Sequence, residues 1–265
     1  MKRNSHFEVT TKIRCNVGCL RYCPQEIFTK NYTGDRILSV ENFKRMISDV
    51  PASTTIIFSG LSEPFLNKDT PRMIIAAHED GHPVVIFSTL TGLSPEDAVT
   101  IKNIPFERFT LHLPDSYGVA HIPDTEEYSK SLNIILRNVQ RINYMNMGYG
   151  FVSDKSEERI RKITTIPKMH FTPYCDHHEY QDIFVLPNGD AYFCCQTRGQ
   201  SNLVGNIYQE SYQNLLEKHS AMSTEMRNDP ESICFRCMMA SPSFMYPLKK
   251  IFGTSLINIG KRYFL

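Results

Sequence analysis

The sequence predicts an α/β fold: a parallel sheet flanked by helices, followed by a small cysteine-bearing region. Three observations predict it. Strand-like and helix-like segments alternate from residue 7 to residue 163. At least two of the strand-like runs, Thr55–Ser59 and Pro83–Ser88, are short and apolar enough to be buried. The eight cysteines fall into two groups at either end of a body that has none between residues 24 and 174.

Taken in order, Phe7-Glu8-Val9-Thr10 reads as the first strand. Ser39 caps a helix whose Val40, Phe43, Met46 and Ile47 recur at helical spacing. After the strand at 55–59, Pro71 opens a helix that runs over 72–77. After the strand at 83–88, Ser94-Pro95-Glu96-Asp97 sets a capping hydroxyl, a first-turn proline and two acids on the positive end of a helix dipole. Phe109–His112 is the next strand. A helix over 126–142, a strand over 149–152 and a helix over 157–163 complete the βα series. Such folds place their sites at the carboxyl ends of the strands.

The chain has 265 residues and a formal net charge of +1, from 29 Lys plus Arg against 28 Asp plus Glu. That balance excludes a protein held to nucleic acid by a strongly basic face. The N-terminal residues lead into no apolar signal segment, and no window holds 18 consecutive apolar residues, so neither secretion nor a membrane span is expected. A cytoplasmic, reducing setting follows, in which clustered cysteines read as metal or redox ligands rather than disulfides.

Cys15, Cys19 and Cys23 follow the first strand directly, in a loop with Asn16, Gly18, Arg21 and Pro24. Three soft thiolates suit iron–sulfur or zinc. A structural zinc site wants four protein ligands, and no fourth cysteine is near. A three-thiolate iron–sulfur cluster leaves one iron open.

Cys15-Asn16-Val17-Gly18-Cys19-Leu20-Arg21-Tyr22-Cys23-Pro24 resembles the cluster loop of the radical S-adenosylmethionine (SAM) enzymes. It keeps Asn16 and the aromatic Tyr22 but has three residues, not the family's two, between Cys19 and Cys23. Gly60-Leu61-Ser62-Glu63-Pro64 looks like the family's Gly-Gly-Glu-Pro segment, with Ser62 in place of the second glycine. The resemblance implies a partial (β/α)6 TIM-type barrel over 1–170. It also implies a [4Fe–4S] cluster on Cys15, Cys19 and Cys23 that binds SAM. Gly60, Ser62 and Glu63 would then meet the SAM amino group, Ser88 and Thr89 its ribose or carboxylate, and Tyr22 and His112 would complete the cofactor site. Further polar candidates at the barrel mouth are Glu8, Asp115 and Tyr117.

The second group extends the resemblance. Cys175 precedes two strand-like runs joined by Pro187-Asn188-Gly189-Asp190, a hairpin turn ending in Cys194. Gly205-Asn206-Ile207, a helix over 212–219 and Cys234-Phe235-Arg236-Cys237 follow. This is similar to the SPASM or shorter twitch domain of the same enzymes. It implies one auxiliary [4Fe–4S] cluster on Cys175, Cys194, Cys234 and Cys237, in a small β-hairpin/helix cluster-binding domain over 171–240. Residues 241–265, a basic and apolar tail, are expected to dock back on the barrel.

Adjacent strand residues face opposite ways, so Cys194 and Cys195 should not serve one cluster, and Cys195 is taken as a buried thiol. The alternative for this region is a zinc ribbon joined by His177 or His178, which would make the chain a metal-stabilised binding module without catalysis. The resemblance implies a radical SAM oxidoreductase acting on a small polar molecule such as a sugar or aminocyclitol alcohol, with a flavodoxin- or ferredoxin-type electron donor. Within the family, the competing reading is an epimerase or an enzyme that modifies a short peptide.

Overall fold

A computed structural model describes residues 5–17, 29–30, 32–113, 122–146, 170–175, 178, 182–195, 202–237 and 240–242. Five strands alternate with helices through the first part: β1 (His6–Val9), α1 (Val40–Ile47), β2 (Thr55–Phe58), α2 (Thr70–Glu79), β3 (Val84–Ser88), α3 (Pro95–Ile101), β4 (Arg108–Leu113), α4 (Glu126–Asn138) and β5 (Ile142–Asn146). All pair in parallel, in the order β5-β4-β3-β2-β1. The α/β expectation holds.

Alternation fixes the two faces of this sheet. Phe7, Val9, Ile56, Phe58, Val84, Ile86, Phe109 and Leu111 enter one core with Phe43, Met46, Met73, Ile74, Ala98 and Ile101 of the helices. By the same alternation the opposite face carries Glu8, Ile57, Val85, Phe87, Thr110 and His112. Each buried aromatic or branched aliphatic side chain in the core contributes about 1.5–3 kcal/mol. The helix starts are fixed as the capping residues predict. The Ser39 hydroxyl accepts from Asn42 N at 3.1 Å and that of Ser94 from Asp97 N at 3.1 Å.

Two boundaries differ from the sequence reading. The helix expected over 126–142 stops at Asn138: Val139 is extended, Arg141 is left-handed at φ 58°, and Ile142 opens β5 opposite Phe109. Pairing with β4 supplies ladder hydrogen bonds, which override local helix propensity there. The strand expected at 149–152 and the helix at 157–163 lie outside the described residues, as does the tail from 243 onward. The helix expected over 212–219 runs on to Asn228.

The second part comprises β6 (Pro173–Tyr174), β7 (Ile183–Val185), β8 (Asp190–Tyr192), β9 (Leu203–Asn206), α5 (Tyr212–Asn228), a 3₁₀ turn over Ile233–Arg236, and β10 (Ser241–Pro242). The hairpin forms at Pro187–Gly189, with Gly189 at φ 87° and Leu186 N bonded to Asp190 O. β7 then pairs in parallel with β1, and β8 and β9 add antiparallel. The cysteine-bearing hairpin is thus continuous with the main sheet. β10 pairs with β6 in a separate two-stranded sheet.

Candidate functional site

The carboxyl edge of the sheet gathers most of the described candidates. Cys15 follows β1 after a short connector pinned on both sides. Ile13 N donates to Arg36 O, Leu38 N donates to Thr11 O, and the Asn67 side-chain amide donates to the carbonyls of Thr11 and Leu38. Arg14, immediately before Cys15, is left-handed at φ 83°, which turns the chain out of the strand direction. Cys15 is half-buried. Cys19, Tyr22 and Cys23, with Asp115 and Tyr117, lie outside the described residues.

The Gly60–Pro64 segment crosses the ends of β1 and β3. Gly60 has φ 89°, and a Cβ there would stand 2.0 Å from the Thr10 hydroxyl oxygen. Only glycine combines that backbone with that approach. Leu61 N donates to Thr10 Oγ1, and the Thr11 and Thr70 hydroxyls both donate to Pro64 O.

Glu63 is buried, and its carboxylate accepts four hydrogen bonds: Ser88 Oγ at 2.5 Å and Phe65 N at 3.3 Å on Oε1, Thr89 N and Thr89 Oγ1 each at 2.7 Å on Oε2. Burial pushes its carboxyl above the usual range, and the bonds from Ser88 and Thr89 oppose that rise. Four bonds use the acceptor capacity of a carboxylate. The side chains of Glu63, Ser88 and Thr89 therefore serve one another. What the loop offers outward is the backbone of Gly60–Ser62 and the partly exposed Ser62. Tyr128 on α4 closes the network from behind, donating to Thr89 O at 2.9 Å. Thr10, Thr11, Asn67 and Tyr128 were not singled out from the sequence. The Thr10-Thr11 pair at a strand end was the one available signal, since Tyr128 meets the site only through the packing of α4.

His112 ends β4 two strands away. Its ring lies 6.0 Å from Phe87, and its buried Nε2 has no hydrogen-bond partner among the described residues. Desolvation lowers its pKa from 6.5 to about 4, so the imidazole is neutral near pH 7. Glu8, on the same face, is buried between its register partners Ile57 and Phe184.

The five cysteines of the second group sit in apolar surroundings. Cys175, at the end of β6, packs with Phe235, Ala240 and Cys237. Cys194 and Cys234 line the main core. Cys195 turns the other way, against the cluster of Ile13, Tyr32, Leu61, Phe184, Leu186 and Tyr192. The two adjacent thiols face different clusters, as the sequence suggests, but β8 ends at Tyr192, so the turn at Cys195 rather than strand alternation separates them, and Cys195 is half-buried rather than buried. His178 Nδ1 lies 2.7 Å from Ser223 Oγ, and His177 is outside the described residues. Among the described residues, no three His, Cys, Asp or Glu side chains converge as a single metal ion requires. Cys175, Cys194 and Cys234 are buried and Cys237 is half-buried, and thiolates are the donors that iron–sulfur clusters take.

Comparison with known proteins agrees with that donor chemistry. Residues 175–238 match the SPASM family, an iron–sulfur cluster-binding domain. A search of curated proteins finds no match to the sequence. Among solved structures, BtrN in complex with AdoMet and 2-DOIA is similar at TM-score 0.65 and 14% identity, over 91% of this chain and 94% of that one. The His6-tagged anSMEcpe with bound AdoMet is similar at 0.57 and 11%, over 85% and 81%. Streptococcus suis SuiB bound to precursor peptide SuiA follows at 0.52 and 14%, over 86% and 68%.

The chain therefore joins a segment that matches an iron–sulfur cluster-binding domain to a mostly parallel α/β sheet. More narrowly, the chain shares the fold of these AdoMet-bound and peptide-bound solved structures, and its residues 175–238 match the SPASM domain. Among the described residues, no helix is long and apolar enough to cross a membrane.

Proposed function

We propose that this protein is a radical SAM oxidoreductase acting on a small polar alcohol, of the sugar or aminocyclitol kind. The observation that carries the reading is one of placement. Cys15, Gly60–Pro64, Ser88–Thr89 and His112 share the carboxyl edge of β1–β4, in a chain whose second part matches an iron–sulfur domain.

In this reading, Cys15, Cys19 and Cys23 hold the SAM-binding cluster, and Cys175, Cys194, Cys234 and Cys237 hold the auxiliary one. When bound, these groups supply reductive cleavage of SAM to a radical that abstracts hydrogen, and an acceptor for the second electron. The protein supplies position. The backbone of Gly60–Ser62 receives the SAM amino group, with Tyr22 beside the cluster. Glu63 acts through Ser88 and Thr89, holding the end of β3 at the height where ribose or carboxylate is met. His112 presents a neutral imidazole to the substrate side, where its Nε2 can accept a hydrogen bond from a substrate hydroxyl. Burial of the sheet's inner face by Ile57, Val85 and Phe87 excludes water from the radical step. An electron donor of the flavodoxin or ferredoxin type completes the scheme.

Likeness to SuiB, solved with its precursor peptide, supports a second reading in which the substrate is a short peptide. Anaerobic reconstitution followed by iron, sulfide and zinc analysis tests the shared core of both. About eight irons per chain are expected, together with 5′-deoxyadenosine formation under a strong reductant. Zinc alone, without SAM cleavage, would leave only a metal-stabilised binding module. Small alcohols and short peptides offered as substrates then separate the two readings by which of them raises deoxyadenosine formation.

A further inference from the structure

Three side chains of α5 recur every four residues along one face and hold the chain beside two of the auxiliary cysteines. His219, fully buried, places Nε2 3.1 Å from Phe193 O, one residue before Cys194, and stacks its ring on Phe193 at 4.6 Å. Ser223 places its hydroxyl 2.7 Å from His178 Nδ1. Arg227 donates from Nε to Pro173 O at 3.3 Å, and its guanidinium lies 4.7 Å over the ring of Tyr174, one residue before Cys175.

The rings between these anchors form one column. Phe193 lies 5.3 Å from His178, and His178 lies 5.7 Å from Tyr174. The turn after Cys175 is closed by His178 N donating to Cys175 O at 3.1 Å. The column thus begins and ends on α5, and the segments it spans are those that deliver Cys175 and Cys194. A helix is stiff, so residues at i, i+4 and i+8 set a fixed spacing along it. Main-chain carbonyls gripped at two points on that scale cannot drift apart independently.

We propose that the His219–Ser223–Arg227 face of α5 is a positioning device that fixes the separation of Cys175 from Cys194 and so keeps all four thiolates on the auxiliary cluster. This rests on the reading that Cys175, Cys194, Cys234 and Cys237 hold that cluster. Supporting groups around metal ligands act in this way, by orienting the ligands rather than by bonding the metal.

The test uses the full chain with Cys15, Cys19 and Cys23 changed to Ala, so that only the auxiliary cluster can be loaded. Into this parent go His219→Leu, Ser223→Ala and Arg227→Met singly, and His219→Gln as the conservative variant, whose amide can still donate to Phe193 O. Readouts are iron and sulfide per chain, the rate of iron loss to a chelator, and the electron paramagnetic resonance signal after mild oxidation. His219→Leu and Arg227→Met should lose iron roughly tenfold faster than the parent and show the signature of a three-iron cluster, the form left when one thiolate fails to hold. His219→Gln should restore most of the parent's behaviour. Circular dichroism restricts the comparison to variants with parental secondary structure, and should all three single variants fail it, Arg227→Gln, which loses the guanidinium over Tyr174, is read in their place. Parental iron loss and signal in the folded variants other than His219→Gln overturn the proposal alone. A parent that takes up no iron overturns the cluster assignment, and the proposal with it.

Discussion

Glu63 Oε2 lies 2.7 Å from both the backbone nitrogen and the hydroxyl oxygen of Thr89, so one carboxylate ties the loop after β2 to the end of β3. Its other oxygen takes Ser88 Oγ and Phe65 N. Glu63 thus braces the loop after β2 against the end of β3.

Replacing that brace should therefore cost stability before it costs chemistry. Glu63→Gln puts an amide donor against the Thr89 N–H or Ser88 hydroxyl, leaving a buried polar group without a partner. The expected loss is about 1–3 kcal/mol. Chemical denaturation measures it, and SAM affinity should fall in parallel. Unchanged stability with lost SAM binding would return Glu63 to a direct ligand role.

Gly60→Ala should be worse tolerated than an ordinary loop substitution. The new Cβ meets the Thr10 hydroxyl at 2.0 Å, on a backbone with φ 89°. The left-handed conformation alone costs about 1–2 kcal/mol, and the clash adds to it. Thermal unfolding should show the loss, and Gly60→Ala with Thr10→Ala should recover part of it.

His112 should make the protein less stable in acid. Its folded-state pKa, about 4, lies below the ordinary 6.5. The unfolded chain therefore binds a proton more readily between those values, and stability falls as pH drops from 6.5 towards 4. The full effect is at most about 3 kcal/mol at roughly 1.4 kcal/mol per unit. His112→Gln should flatten this part of the profile, read from denaturant unfolding at each pH. An unaltered slope would show that the buried imidazole is already proton-tolerant.

The two neighbouring cysteines should separate cleanly by iron content. Cys194 lines the main core with Cys234, whereas Cys195 packs against Tyr32, Leu61 and Phe184. In reconstituted protein, Cys194→Ser should reduce iron by up to about four per chain, and Cys195→Ser should leave it unchanged. The reverse result would move the ligand to Cys195.

Much of the fold was legible because its signals are local. Ser39 and Ser94 announce their helices by capping, and Ile56–Phe58 and Val84–Phe87 announce buried strands by composition. The end of α4 was not legible: Ile142 continues a helical pattern in sequence, and only pairing with β4 converts it to strand. The three roles within Glu63, Ser88 and Thr89 were hidden for the same kind of reason, since residues 25 apart exchange hydrogen bonds only once two strands lie side by side.

By itself the sequence determined the thiolate inventory and the order of βα units, because spacing along a chain fixes periodicity and donor chemistry. Tertiary structure alone decided which polar groups remain available. It spends Glu63 on Ser88 and Thr89, leaves His112 Nε2 without a partner among the described residues, joins the hairpin of β7 and β8 to β1, and sets α5 beside the segments that carry Cys175 and Cys194. Hydrogen-bond satisfaction is a sum over everything buried around an atom, and that sum exists only when the chain is folded.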